Sequence, residues 1–152
     1  MLKMVWIILV ILAETNISNT KQMDALKIKQ QANTIGVILD EENNRFVFEG
    51  RSLPENTVKF FEPVMKWIEE YKKTPPDETL IDMNFIYFNT SSAKLILEVL
   101  QEFDSIKQQG KQVKITWHYM EEDYDIKEAG EEFESMLSLP FEYVEHPESY
   151  YE

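Results

Sequence analysis

The segment that decides the fold is LIDMNFIYF, residues Leu80–Phe88, together with the polar stretch NTSS, Asn89–Ser92, that follows it directly. The first nine residues are mostly apolar or aromatic, which is typical of a strand near the centre of a sheet. Beyond the polar stretch, apolar residues recur at spacings of three and four from Leu95 to Ile106, and Gly110 is a natural stop. The segment therefore predicts a buried strand that enters an amphipathic helix through a short polar junction.

Upstream, two β-branched and aromatic runs flank a polar cluster. Thr34–Leu39 and Arg45–Glu49 read as strands, and Asp40–Asn44 between them contains asparagines that tolerate a positive φ. Together they predict a β-hairpin, with Gly50 at the end of its second strand.

A helix is expected after the hairpin. Ser52–Glu55 has the form of a capping box, in which the serine hydroxyl and the glutamate carboxylate would satisfy free backbone N–H groups. Pro63 should kink this helix, and Thr74–Pro76 should stop it. Its predicted apolar face carries Val58, Phe61, Met65 and Ile68.

The last third of the chain predicts three more elements. Gln112–Tyr119 alternates as a strand, Glu121–Asp125 is an acidic loop leading into a third helix, and Phe141–Val144 reads as a short final strand after Pro140. The order β-β-α-β-α-β-α-β predicts the α/β (α+β) class, with helices packed on one mixed sheet.

The first 22 residues are set apart from this domain. Met4–Ala13 is a ten-residue apolar run behind Lys3, too short for a membrane-spanning helix of about 20 residues but similar in layout to a signal peptide. We favour a misassigned start, with Met23 as the true one. The expected organisation is an apolar extension at residues 1–22, a domain at residues 23–147 and a loose tail at residues 148–152.

Composition excludes several classes of function. The 152 residues carry 28 acidic and 15 basic side chains, a formal net charge of −13, so nucleic acid is excluded as a partner and an anionic membrane is disfavoured. The absence of cysteine excludes disulfides and thiolate chemistry and suits a cytoplasmic protein. No cofactor and no metal site are expected. A partner with a basic face stays possible.

The polar stretch Asn89–Ser92 is the strongest candidate site. Functional groups collect beyond the carboxyl ends of parallel strands, and this stretch lies there. Either Asn89 or Thr90 could simply cap the helix, but four hydrogen-bonding side chains exceed what one cap requires. A phosphate at this helix N-terminus would meet the positive end of the helix dipole and free N–H groups, and would change the outer surface rather than the core.

An enzymatic reading of the same hydroxyls is disfavoured. It would use Asn89, Thr90 and His118, but His118 should lie on the strand face opposite Val113, Ile115 and Trp117, and the chain has no G-x-S-x-G elbow or glycine-rich phosphate loop. The acidic loop Glu121–Asp125 lacks the ligand spacing of an EF-hand calcium site. It is expected to be solvated or to serve partner docking.

These residues resemble the SiaC family of bacterial regulatory phosphoproteins over about Met23 to Pro147. The most specific part is Tyr87-Phe88-Asn89-Thr90-Ser91-Ser92-Ala93-Lys94, and the turn Ser52-x-Pro54-Glu55-Asn56 is second. Further matching positions are Ile38-Leu39-Asp40, Phe46-x-Phe48-x-Gly50 and Phe61-x-Pro63-x-x-x-Trp67. The layout also resembles STAS domains, the antagonists of anti-sigma factors, although Ala93-Lys94 replaces the glycine typical of that motif.

The resemblance implies a non-catalytic phospho-switch adaptor. It implies that a serine/threonine kinase (SiaB-like) phosphorylates Thr90, with Ser91 the second choice, and that a PP2C-type phosphatase (SiaA-like) reverses this. The unphosphorylated form would bind an effector, a diguanylate cyclase (SiaD-like), in cyclic-di-GMP and biofilm signalling. The expected partner-binding residues are Asn89, Ser91, Ser92, Lys94, Glu121, Glu122 and Asp123. The alternative is an exported or membrane-tethered interaction domain in which Thr90 is only a helix cap.

Overall fold

A computed structural model describes residues 2–17 and 22–148 and contains six strands and four helices in these ranges. The predicted order is confirmed from the hairpin onward, and two elements precede it. The helices are α1 (Leu2–Ile17), α2 (Thr57–Tyr71), α3 (Thr90–Gln108) and α4 (Tyr124–Ser135). The strands are β1 (Leu26–Ile28), β2 (Gly36–Asp40), β3 (Arg45–Ser52), β4 (Glu78–Phe88), β5 (Gln112–Met120) and β6 (Phe141–His146).

The six strands form one mixed sheet whose spatial order is the chain order, β1 to β6. β1, β2 and β3 pair antiparallel, whereas β3, β4, β5 and β6 pair parallel through the crossover helices α2, α3 and α4. Right-handed crossovers between successive neighbours place all three of these helices on the same face. The carboxyl ends of β3, β4 and β5 therefore lie side by side at one edge of the sheet.

The core lies between this face of the sheet and the three helices. Trp117 of β5 is fully buried and its indole N–H donates to the Ile126 carbonyl in α4, at 2.9 Å. On the other side of the core, Trp67 and Tyr71 of α2 pack against Phe46 of β3, with ring centroids 5.9 Å and 5.2 Å from the Phe46 ring. The aromatic residues thus anchor α4 and α2 to the sheet.

Several sequence-based boundaries need correction. Gly50 does not end the second strand: it has a φ of +105° at a register shift, and β3 continues to Ser52. The predicted capping box is wrong, because the N-cap of α2 is Asn56, whose side chain accepts from the Lys59 N–H at 3.0 Å. Val58, placed on the apolar face of α2, is 69% exposed. Pro63 lies inside α2, which continues from Thr57 to Tyr71.

The apolar extension is helical in its described part. The side chains from Leu2 to Val10 are exposed, and in the ranges described here no helix has the length and apolar character needed to cross a membrane. The short strand β1, which the sequence did not indicate, pairs with β2 as the outermost strand of the sheet.

The other face of the sheet carries a chain of titratable side chains that joins three strands. The Asp82 carboxylate contacts His118 Nε2 at 2.8 Å, and His118 Nδ1 contacts His146 Nε2 at 2.7 Å. The two imidazole planes are inclined by only 18° with centroids 5.0 Å apart, which fits a hydrogen bond lying in both ring planes. His118 therefore lies on the face opposite Trp117, as predicted, and ties β4 to β6.

Substituting Gly130 tests how tightly α4 is fixed to the sheet. A Cβ at Gly130 would lie 2.7 Å from Trp117 Nε1, so Gly130→Ala should overpack the core and lower the free energy of unfolding by about 1–3 kcal/mol. The exposed neighbour Glu128→Ala should stay within about 0.5 kcal/mol. Urea unfolding measures both. A Gly130→Ala protein more stable than the wild type would show that Trp117 is not held in place.

The histidine chain predicts a loss of stability on mild acidification. Burial, and then the proximity of His118, lower the pKa of His146 below its ordinary 6.5. Below about pH 6.5 the His146 imidazole therefore binds a proton more readily in the unfolded chain than in the folded chain. The contribution of His146 to stability is present above about pH 6.5 and is lost as the pH falls below it. His146→Gln should make the urea midpoint less dependent on pH between about 7.5 and 5.5. Identical pH profiles for the two proteins would contradict this.

Candidate functional site

The candidate site lies at the edge of the sheet where β3, β4 and β5 end. The connections that leave this edge are residues 53–56, residue 89 and residues 121–123. Because these strands are parallel neighbours, the polar stretch Asn89–Ser92 and the acidic loop lie at the same edge. Each connection ends in a helix N-cap.

Asn89 is the N-cap of α3. Its backbone is extended, with φ −81° and ψ 175°, and its side-chain oxygen accepts from the Ser92 N–H at 2.9 Å and from the Ser91 hydroxyl at 3.1 Å. This geometry resolves the two alternatives for the cap: Asn89 caps the helix, and Thr90 is its first residue.

Ser92 and Ser52 form a buried pair that joins α3 to the end of β3. Both side chains are fully buried. The Ser52 hydroxyl donates to the Ser92 hydroxyl at 2.8 Å, and the Ser92 hydroxyl donates to the Ser52 carbonyl at 2.9 Å. Ser52 thus has a partner 40 residues away instead of a capping role. The predicted contact of Ser92 with a partner protein does not fit this position, because its side chain does not reach the surface.

Ser91 joins the first turn of α3 to the first turn of α2. Its hydroxyl lies 2.9 Å from the hydroxyl of Thr57, which is the first residue of α2 and is largely buried. Since Ser91 donates to Asn89, Thr57 is the donor to Ser91. The positive ends of two helix dipoles are therefore adjacent at this point of the surface.

Thr90 is exposed and differs from its neighbours in its bonding. Within residues 2–17 and 22–148, its hydroxyl has no hydrogen-bond partner, whereas Asn89, Ser91 and Ser92 are all bonded through their side chains. Lys94, also exposed, follows four residues later and so lies on the same side of α3. A reagent can reach the Thr90 hydroxyl without breaking any bond of this junction.

The acidic loop is held at both ends. Glu121 N–H donates to the His146 carbonyl at 2.7 Å, and the Asp123 carboxylate caps α4 by accepting from the Ile126 N–H at 3.2 Å. Glu121 and Glu122 remain exposed between these anchors, with Glu122 in the left-handed region at φ +65°. Within the described ranges no three His, Asp or Glu side chains are placed to hold a metal ion.

Four exposed apolar side chains at this edge were missed by sequence reasoning. They come from different elements, and the sequence assigned their stretches to a capping box, a helix face, a strand and an acidic loop without indicating exposed apolar side chains. They are Leu53 after β3, Val58 in the first turn of α2, Tyr87 near the end of β4 and Tyr124 at the start of α4.

Comparison with known proteins identifies one family. The model of the SiaC family regulatory phosphoproteins matches residues 28–146, which lie inside the predicted domain. An uncharacterized protein of Pseudomonas aeruginosa strain UCBPP-PA14 is 30% identical over 126 residues, covering 83% of this chain and 100% of that protein.

Two solved structures share the fold. SiaC of Pseudomonas aeruginosa has a TM-score of 0.74 at 29% identity and covers 82% of this chain and 100% of its own. SiaC in the crystal structure of the diguanylate cyclase SiaD with its activator SiaC has a TM-score of 0.75 at 30% identity, covering 80% and 99%. The matched span and the fold agree, and this chain belongs to the SiaC family of regulatory phosphoproteins.

Proposed function

We propose that this chain is a non-catalytic adaptor whose binding to an effector is controlled by reversible phosphorylation of Thr90. The observation that carries the proposal is the exposed and unbonded Thr90 hydroxyl at the first residue of α3, within a junction whose other polar side chains are bonded. A modification there leaves the fold intact and changes only the surface.

The bonding favours Thr90 over Ser91 as the phosphoacceptor. Phosphorylation of Ser91 would remove its donor bond to Asn89 and crowd its contact with Thr57. Thr90 has no such bonds to lose within the described residues. The order of preference expected from the sequence is thereby supported by geometry.

The surroundings of Thr90 suit a dianion. The N-termini of α3 and α2 meet here, joined by the contact between Ser91 and Thr57, and their N–H groups and dipoles favour negative charge. Lys94 adds a cation one turn along α3. The phosphorylated form would therefore stay folded while its surface gained a charge of roughly −1.5 to −2.

The proposed partners are a serine/threonine kinase, a PP2C-type phosphatase and a diguanylate cyclase as effector. The last is supported by the solved relative, since SiaC of Pseudomonas aeruginosa is the activator of the cyclase SiaD. A cytoplasmic location fits these partners.

The absence of a catalytic role is supported by the position of His118. Both of its ring nitrogens are engaged, one with Asp82 and one with His146, on the face of the sheet away from the helices. It is not free to act as a base toward the Thr90 hydroxyl.

Substitutions at the junction should separate capping from signalling. Asn89→Ala removes the N-cap and should lower the free energy of unfolding by about 1 kcal/mol. Thr90→Ala removes an exposed and unbonded hydroxyl and should change it by less than about 0.5 kcal/mol. Urea unfolding of both variants tests this. A Thr90→Ala protein as unstable as Asn89→Ala would show that the Thr90 hydroxyl stabilises the helix N-terminus.

Phosphorylation should reduce effector activation. Protein phosphorylated at Thr90 should bind the SiaD-like cyclase of its own organism about tenfold or more weakly, because the dianion must be desolvated at the contact. Calorimetry and the rate of cyclic-di-GMP formation measure the effect, and PP2C treatment should restore binding.

Two variants serve as controls for this experiment. Thr90→Ala should escape the kinase and still activate the cyclase, whereas Ser91→Ala should still be phosphorylated. Equal affinity of the phosphorylated and unphosphorylated proteins for the cyclase would refute the proposed switch.

A further inference from the structure

The exposed apolar side chains are distributed unevenly over the folded domain. Six large apolar side chains within residues 22–148 are at least 36% exposed, and four of them belong to the edge that carries Thr90. The other two, Leu80 and Met136, lie near the start of β4 and just after the end of α4, at the opposite ends of their elements. The four at the edge are Leu53, Val58, Tyr87 and Tyr124, which we call the edge patch.

Contacts of Ser91 and Ser92 hold the residues that precede two members of the edge patch against the first turn of α3. Val58 follows Thr57, whose hydroxyl lies 2.9 Å from that of Ser91. Leu53 follows Ser52, which is bonded to Ser92.

The two tyrosines extend the edge patch along the sheet edge. Tyr87 lies opposite Arg51 in the register of β4 with β3, two residues before Asn89. Tyr124 opens α4, directly after β5, the neighbour of β4. The edge patch therefore extends over all three connections at this edge, and Thr90 directly follows the middle one.

The edge patch is rigidly presented. Asn56, Asn89 and Asp123 cap the three helices that leave this edge, and the Ser52–Ser92 pair holds the central junction. Exposed apolar side chains that lie together on a fixed scaffold mark interaction sites, and tyrosine is among the residues that contribute most to binding. Val58 and Tyr124 lie largely in solvent, with 69% and 61% exposure, whereas Tyr87 and Leu53 are 47% and 36% exposed.

Charge at this edge indicates the chemistry of the partner. Glu121, Glu122 and Asp125 surround Tyr124 in the sequence and are exposed. Elsewhere at this edge the exposed charges are mixed, with Glu55 beside the cations Arg51, Lys59 and Lys94, so the acidic part is the loop next to Tyr124. The whole chain has a formal net charge of −13. A partner segment that covers the edge patch is favoured when its flanks are basic.

We propose that the edge patch docks one segment of the effector, formed by apolar side chains flanked by lysine or arginine. This rests on the proposed function and names the surface through which it acts. The apolar side chains of the segment cover Tyr87, Tyr124, Leu53 and Val58, and its basic residues pair with Glu121 and Glu122. Asn89, Ser91 and Ser92 hold the surface in shape instead of contacting the partner through their side chains.

The position of Thr90 explains how one phosphate would switch this contact. A phosphoryl group there would place a charge of roughly −1.5 to −2 at the edge that carries the edge patch. The helix N-termini and Lys94 accept the phosphate in the free protein, but a segment that covers the edge patch would have to remove water from it, and desolvating a charge is costly. Phosphorylation therefore opposes docking even though the partner is basic.

Alanine substitutions at the patch and elsewhere test the proposal. Tyr87→Ala and Tyr124→Ala should each weaken binding to the SiaD-like cyclase about tenfold or more, as expected for hot-spot tyrosines. Leu80→Ala and Met136→Ala remove exposed apolar side chains outside the patch and should stay within about twofold. Thermal unfolding is measured for all four variants, and binding is compared at a temperature at which each of them is folded.

The charge part is tested with Glu121→Gln and Glu122→Gln. The double variant should slow association and make binding less sensitive to salt, because the flanking charge pairs are lost. Stopped-flow association rates at two salt concentrations measure this. Association rates that do not change would overturn the assignment of a basic partner segment.

The outcomes separate the patch from the switch. If phosphorylation abolishes binding but Tyr87→Ala and Tyr124→Ala bind as the wild type does, the edge patch is overturned and the proposed switch is not. Control variants as weak as the tyrosine variants would also overturn it. A wild-type chain that binds no cyclase in either phosphorylation state would overturn the proposed function and, with it, the patch.

Discussion

The arrangement of the site depends on one buried pair of hydroxyls, Ser52 and Ser92. Their two hydrogen bonds join the last residue of β3 to the first turn of α3, across 40 residues of chain. Because the pair is fully buried, breaking it would leave polar groups without partners in the core, which is costly. The N-terminus of α3 is thus held against the end of β3, and the start of α2 is held beside it through Thr57. A surface residue in this junction can be modified without disturbing its neighbours.

A division of labour follows along Asn89–Ser92. Asn89 caps α3, Ser91 contacts α2 and Ser92 anchors α3 to β3, so three of the four side chains maintain the junction. Thr90 alone among them faces solvent without a partner in the described residues. Under the proposed function, structural and regulatory roles reside in adjacent residues, and Thr90 can be modified while the bonds of its neighbours are kept.

The sequence predicted the elements better than their contacts. The apolar run ending at Phe88 and the polar residues after it fixed the strand, the helix and the edge on which the site lies, because burial and periodicity are local properties. Ser52 was misread because its true partner, Ser92, is distant in the chain and leaves no local signal. The start of α2 was consequently placed too early, and Val58 was assigned to the core although it is exposed. The link from Asp82 to His146 crosses three strands and follows only from the register.

The most direct measurement is peptide mapping by mass spectrometry of this protein purified from its native cells under several growth conditions. We expect one modified peptide, heavier by the mass of one phosphoryl group, with the modification on Thr90, and a phosphorylated fraction that changes with conditions and disappears on PP2C treatment. Thr90 unmodified under all conditions, or a phosphoryl group on Ser91 instead, would contradict the central claim that the free hydroxyl at the start of α3 is the regulated group.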